Sequence, residues 1–166
     1  RLFLIDGNSF CYRAFYAIPP FFNSKGEPTH AVYGFLAMLK KILESEKPEY
    51  IGVAFDMKGP TLRRQKYDQY KIHRKPMPED LIRQLPWIKK ALEAYQIPIF
   101  EKQGFEADDI LGTVAKKFGK KGMDLFLVTG DKDAFQLVNE HVFVYNTHQN
   151  GMIYDAAKVK EKFQVD

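Results

Sequence analysis

Short apolar runs alternate with helical patterns along this chain, and that rhythm restricts its fold more than anything else in the sequence. Strand-like runs fall at 2–5, 50–55, 97–100, 124–129 and 142–145. Helical periodicity marks 31–45, 79–96, 106–118 and 155–164. Such a βαβ succession predicts an α/β fold with a mostly parallel central sheet and helices on both faces. No linker or internal repeat divides the 166 residues, so residues 1–166 are expected to form a single domain.

Carboxylates gather at the ends of those runs. Leu2-Phe3-Leu4-Ile5 leads into Asp6, and Ile51-Gly52-Val53-Ala54-Phe55 into Asp56. Leu125 to Gly130 delivers Asp131, with Asp133 two residues on. Gly104-Phe105-Glu106-Ala107-Asp108-Asp109 sets three more acids at the start of a helical pattern, where Glu106 and Asp109 stand one turn apart. In a parallel sheet the carboxyl ends of the strands open onto one crevice. Seven carboxylates meeting there would repel one another unless a cation sat among them, and Mg²⁺ or Mn²⁺ prefers such oxygen donors. Acids at a helix N-terminus also complement its dipole, which accounts for one or two of the seven but not for those at strand ends. The pattern predicts a metal-dependent phosphoryl-transfer site.

The net charge is nevertheless +4, because bases crowd the middle of the chain. Residues 58–75 carry Lys58, Arg63, Arg64, Lys66, Lys71, Arg74 and Lys75 against Asp68 alone, with Tyr67 and Tyr70 interleaved. In a helix, Arg63, Tyr67, Tyr70, Lys71 and Arg74 fall along one face. Cations there would hold phosphates, and the tyrosines would offer ring faces to unstacked bases. Negative charge in a pit with positive charge beside it suggests metal inside and a polyanion outside. The simpler alternative is a solvated loop bracketed by Gly59-Pro60 and Pro76-Met77-Pro78.

Other classes fit poorly. No apolar run approaches the ~20 residues that span a bilayer, and no charged leader precedes a long apolar stretch. The single cysteine, Cys11, precludes an internal disulfide and suits a reducing cytoplasm. His30, His73, His141 and His148 lack zinc-ligand spacings. Neither G-x-G-x-x-G nor a Walker loop is present.

In this order, the motifs resemble a known family. They are Leu4-Ile5-Asp6-Gly7-Asn8-Ser9, Tyr12-Arg13-Ala14-Phe15, Ala31-Val32-Tyr33-Gly34-Phe35 and Phe55-Asp56. Tyr70-Lys71-Ile72-His73-Arg74, Gly104 to Asp109, and Thr129-Gly130-Asp131-Lys132-Asp133 continue the series. The set is similar to the 5′→3′ exonuclease domains of bacterial DNA polymerase I and related flap endonucleases, within the PIN-like nucleases. The resemblance implies hydrolysis of DNA at 5′ ends and flaps, RNA primer strands included, by a mechanism using two Mg²⁺ or Mn²⁺ ions. It places Asp6, Asp56, Glu106 and Asp108 around the first metal, Asp109 behind them, and Asp131 and Asp133 at the second. Lys71 and Arg74 would neutralise charge growing on the phosphate from a helical arch, and Arg13 would lie near the bound strand, with Tyr67 and Tyr70 stacking on it. Ser9 and Cys11 are expected to be structural.

In the family a Gly-Asp-x-x-Asp-Asn segment and a helix–turn–helix follow, and this chain ends before both. The expectation is a fragment lacking the helix–turn–helix, with an incomplete second metal site and weak or no activity of its own. Whether a polymerase domain follows in the parent chain stays open. A PIN-like ribonuclease and a non-catalytic nucleic-acid-binding module are the rival readings. A haloacid-dehalogenase-type phosphatase is disfavoured, because its Asp-x-Asp position reads Asp6-Gly7-Asn8 here.

Overall fold

The computed structural model describes residues 1–57, 59, 75–118 and 122–164. Its centre is a six-stranded sheet in the order β3-β2-β1-β4-β5-β6. The strands are β1 (Leu2–Asp6), β2 (Tyr50–Ala54), β3 (Ile99–Phe100), β4 (Leu125–Thr129), β5 (Val142–Asn146) and β6 (Met152–Tyr154). All pairings are parallel except β5 with β6, which is antiparallel. The mostly parallel architecture expected from the sequence is therefore present.

Period-two burial on both faces explains why these runs form inner strands. Phe3 and Ile5 on β1, Val53 on β2, and Phe126 and Val128 on β4 face one layer of helices. That layer contains α1 (Gly7–Ala17), α2 (His30–Glu46) and α3 (Glu79–Ala94), which contribute Phe10, Phe35, Leu39, Ile88 and Leu92. Leu4, Ala54, Leu125, Leu127 and Val144 face the other layer, where α4 (Ala107–Phe118) and a 3₁₀ helix (Lys132–Leu137) supply Leu111, Ala115 and Phe135. A last helix, α5 (Ala156–Phe163), follows β6, and its Phe163 ring meets Phe135 edge-on. Among the described residues no helix is long and apolar enough to cross a membrane.

Besides short 3₁₀ turns, one helix and one strand were not anticipated. Helix α1 begins on Gly7-Asn8-Ser9, a turn-like triplet, and becomes a helix because Asp6 caps it: an Asp6 carboxylate oxygen accepts from the Ser9 amide at 3.0 Å. Strand β6 is a three-residue edge strand, short enough for its pattern to escape notice. Within the helical layer, buried Gln84 of α3 accepts from the Ala31 and Val32 amides at 2.7 and 3.2 Å. It thereby satisfies free N–H groups at the start of α2.

The junction of β1 with α1 is tight. A Cβ built on Gly7 would stand 2.6 Å from the ring of Phe55, itself buried. Gly7→Ala is expected to destabilise the fold by about 1–3 kcal/mol through overpacking. The check is the midpoint of urea unfolding, and a midpoint equal to that of the unaltered chain would show that the ring can yield.

Candidate metal and nucleic-acid cleft

The connection leaving β1 passes to one side of it, toward β2, while β4 lies on the other side, so the chain reverses its winding direction there. A crevice opens outside the carboxyl ends of strands at such a point. In this chain it is a cleft of about 580 Å³. Six of the seven predicted carboxylates line it: Asp6, Asp56, Glu106, Asp108, Asp131 and Asp133.

Each is delivered by a definite local structure. Asp6 ends β1 and is 5% exposed. Besides the Ser9 amide, it accepts from the Thr129 hydroxyl, at the end of β4, at 2.9 Å. Burial pushes its carboxyl up to about 6, and the charges of Asp108 and Asp56 add to that, against the lowering effect of the two hydrogen bonds. Asp56 follows β2 and is held between two helices. The Asn8 amide of α1 donates to its Oδ2 at 3.0 Å, and the Ala107 N–H at the start of α4 donates to its Oδ1 at 2.7 Å. Asn8 also accepts from the Asp56 backbone at 3.0 Å, so the two residues clasp each other.

Glu106 is buried immediately before α4. Its backbone N–H donates to Asp109 at 2.9 Å, which turns Asp109 toward the helix end. Asp109 accordingly lines a neighbouring hollow of about 380 Å³, together with Asp108, Asp131, Asp133 and Lys116, rather than the main cleft. Asp131 begins the 3₁₀ helix and accepts from the Asp133 N–H at 2.9 Å. Its own N–H donates to the Thr129 hydroxyl oxygen at 3.1 Å, which links it through Thr129 to Asp6.

Among the described residues, no three His, Cys, Asp or Glu side chains stand in an arrangement that could hold an ion as they are. Asp6, Asp56, Asp109 and Asp131 are each turned toward an N–H or hydroxyl donor. The donors nonetheless fit a hard divalent cation in kind. They are carboxylate oxygens, and buried Asp6 is held in a proton-seeking state that a nearby cation would relieve.

One face of α1 forms a bank of different chemistry. Ser9, Tyr12, Arg13 and Tyr16, at three- and four-residue steps, all line the cleft. The Tyr12 and Tyr16 rings lie nearly parallel with centroids 6.3 Å apart, and Tyr16 is 71% exposed. Arg13, expected from the resemblance to lie near a bound strand, lines the cleft. Ser9 is structural as expected, its hydroxyl accepting from the Gly130 N–H at 3.1 Å. Cys11 is fully buried with its thiol pushed up by desolvation, which makes it inert. Lys58, Arg63, Arg64, Lys66, Tyr67, Tyr70, Lys71 and Arg74 lie outside the described residues.

Sequence reasoning missed Asn8, Tyr16 and His148 as cleft residues, and Thr129 as the partner of Asp6. The spacing of Tyr16 from Tyr12 on a helix would have disclosed it. The clasp of Asn8 on Asp56 and the reach of Thr129 to Asp6 depend on strand neighbours distant in the chain.

The sequence model of the family described as "5'-3' exonuclease, N-terminal resolvase-like domain" matches residues 1–164. A DNA polymerase I of Caldicellulosiruptor bescii is 42% identical over 170 residues, covering 99% of this chain and 20% of that protein. A 5'-3' exonuclease of Aquifex aeolicus is 42% identical over 165 residues, covering 99% of this chain and 57% of that protein. The chain thus spans a fifth of the one and just over half of the other. Among solved structures, bacteriophage T5 flap endonuclease, in a pseudo-enzyme–product complex with DNA and metal ions, superposes with a TM-score of 0.66 at 22% identity. That match covers 99% of this chain and 61% of the other. T5 5'-exonuclease with zinc bound gives 0.72 at 19% identity, covering 100% and 62%. At these identities the structural likeness establishes the fold, that of the PIN-like 5′ nucleases.

Proposed function

For a chain that belongs to the 5′-3′ exonuclease family through its N-terminal resolvase-like domain, we propose divalent-metal-dependent hydrolysis of DNA phosphodiesters at 5′ ends and 5′ flaps. The observation that carries this reading is the meeting of six carboxylates at the carboxyl ends of the inner strands, where the carboxyl of buried Asp6 is displaced upward to about 6. In this reading Asp6, Asp56, Glu106 and Asp108 hold a first ion, Asp131 and Asp133 a second, and Asp109 braces the Glu106 backbone. Mg²⁺ or Mn²⁺ is the cation suited to these donors.

Bound divalent ions supply Lewis-acid polarisation of the phosphate and a water nucleophile at neutral pH. The chain's own groups do the rest. Asn8 and the α4 N-terminus hold Asp56 in the cleft, and Thr129 couples Asp6 to the Asp131 loop. Arg13 neutralises the strand's phosphates from the α1 bank, and the exposed Tyr16 ring gives a base a surface on which to stack. Lys71 and Arg74 are assigned the charge that develops on the reacting phosphate, and Arg63, Arg64, Lys66, Tyr67 and Tyr70 contact with the strand. Residues 1–166 act as one catalytic domain, in the cytoplasm, on DNA with RNA primer strands as further substrates.

The test is cleavage of end-labelled 5′-flap DNA, single-stranded RNA and blunt duplex in Mg²⁺ or Mn²⁺, with and without chelator. Metal-dependent cutting at the flap is expected, weak for residues 1–166 alone. Cutting of the RNA alone would replace this reading with a ribonuclease, and binding without cutting in any metal would replace it with a binding module.

A further inference from the structure

Besides Arg13, the described lining of the cleft holds a second residue able to carry positive charge, His148, which has no part in the scheme above. It sits in a short 3₁₀ turn (Thr147–Gln149) at the carboxyl end of β5. The Asn146 side chain fixes that turn by accepting from the His148 N–H at 2.9 Å. The imidazole lies over Gly130, where a built Cβ would stand 2.2 Å from its Nε2. Only a residue without a side chain leaves room for the ring there. Gly130 is in turn tied to Ser9 on the α1 bank and directly precedes Asp131. Its seat therefore places His148 in the cleft at Gly130, between the Ser9 end of that bank and Asp131.

A polyanion entering a cleft lined by six carboxylates needs donors that hold its phosphates clear of those charges. We infer that His148 is a phosphate-binding residue of the cleft: its ring, seated on Gly130, donates a hydrogen bond to the backbone of the strand that also meets Arg13. This rests on the nucleic-acid reading above and extends it to a residue outside the motifs that carry the family resemblance. The turn keeps the ring exposed, so the chain's own core does not require it.

The experiment is anisotropy with a labelled 5′-phosphorylated flap oligonucleotide in Ca²⁺, titrated over a range of salt, on the whole chain. His148→Ala should weaken binding roughly 10- to 100-fold, as expected for one lost bond to a charged acceptor. It should also flatten log Kd against log salt wherever the ring bears a proton, by up to about 0.7 for one phosphate contact on a single strand. His148→Lys should restore both affinity and slope. Gly130→Ala, which displaces the ring, should weaken binding in the unaltered chain and add nothing in His148→Ala. Unchanged affinity and slope in His148→Ala, or equal losses in the alanine and lysine variants, would overturn the inference while leaving the nuclease reading in place. Loss of Mn²⁺ affinity with an unchanged salt slope would overturn it in favour of a metal ligand. No binding by the unaltered chain would overturn both readings.

Discussion

Asp56→Ala is expected to lower metal-dependent cleavage by about 100-fold or more. Losing a group that merely orients a metal ligand already costs about 10- to 100-fold, and Asp56 is assigned as a ligand itself. The substitution also strands the Asn8 amide and the Ala107 N–H, which now point at its carboxylate. Leaving such donors unpaired costs about 1–3 kcal/mol where they are buried. Asp56→Asn separates the two effects. It is nearly isosteric and keeps an acceptor for one of these donors while removing the charge. Both variants should fail in cleavage, and only the alanine should melt markedly earlier. A fully active Asp56→Asn protein would remove Asp56 from the metal site.

Asp6→Asn is expected to stabilise the protein at neutral pH while abolishing cleavage. The Asp6 carboxyl lies at about 6 in the folded chain against 3.8 ordinarily, a displacement worth about 3 kcal/mol. Its folded-state proton affinity is raised, so the stability it contributes is fully present below about pH 4. That stability falls away as the pH rises through about 6, leaving a buried charge. The asparagine variant carries no such charge. Its advantage over the unaltered chain should grow between pH 4 and 7 to at most about 3 kcal/mol and vanish below pH 4. Added Mg²⁺ should close the gap at neutral pH by binding only the folded carboxylate form. Urea midpoints across that range check it, and a gap independent of pH would mean that Asp6 is not a strained carboxylate.

Much of this was legible because a parallel sheet turns a one-dimensional regularity into a three-dimensional one. Acids that follow apolar runs must meet at the carboxyl ends of the strands, so Asp6, Asp56, Asp131 and Asp133 could be grouped without knowing strand order. The inner strands were readable for the same reason, being apolar on both faces. Helix α1 was not, because its capping residue, Asp6, reads equally well as a strand-end acid, and Gly7-Asn8-Ser9 suggests a turn. Asp109 shows the limit of spacing arguments. Helical geometry allows it to share a point with Glu106, yet its carboxylate is taken by the Glu106 backbone N–H and lines the next hollow. His148 was beyond reach on other grounds. It meets Gly130 only because β5 lies beside β4 and ends in a turn that brings the ring back over the neighbouring strand's exit.

The claim on which the rest depends is that these carboxylates form a divalent-metal site. Titrating the chain with Mn²⁺ and following the free ion by electron paramagnetic resonance tests it without any substrate. Saturable uptake by the unaltered chain, strongly weakened in Asp56→Asn, is the expected result. No uptake by a folded chain, or uptake unaffected by Asp56→Asn, would contradict the assignment of the cleft.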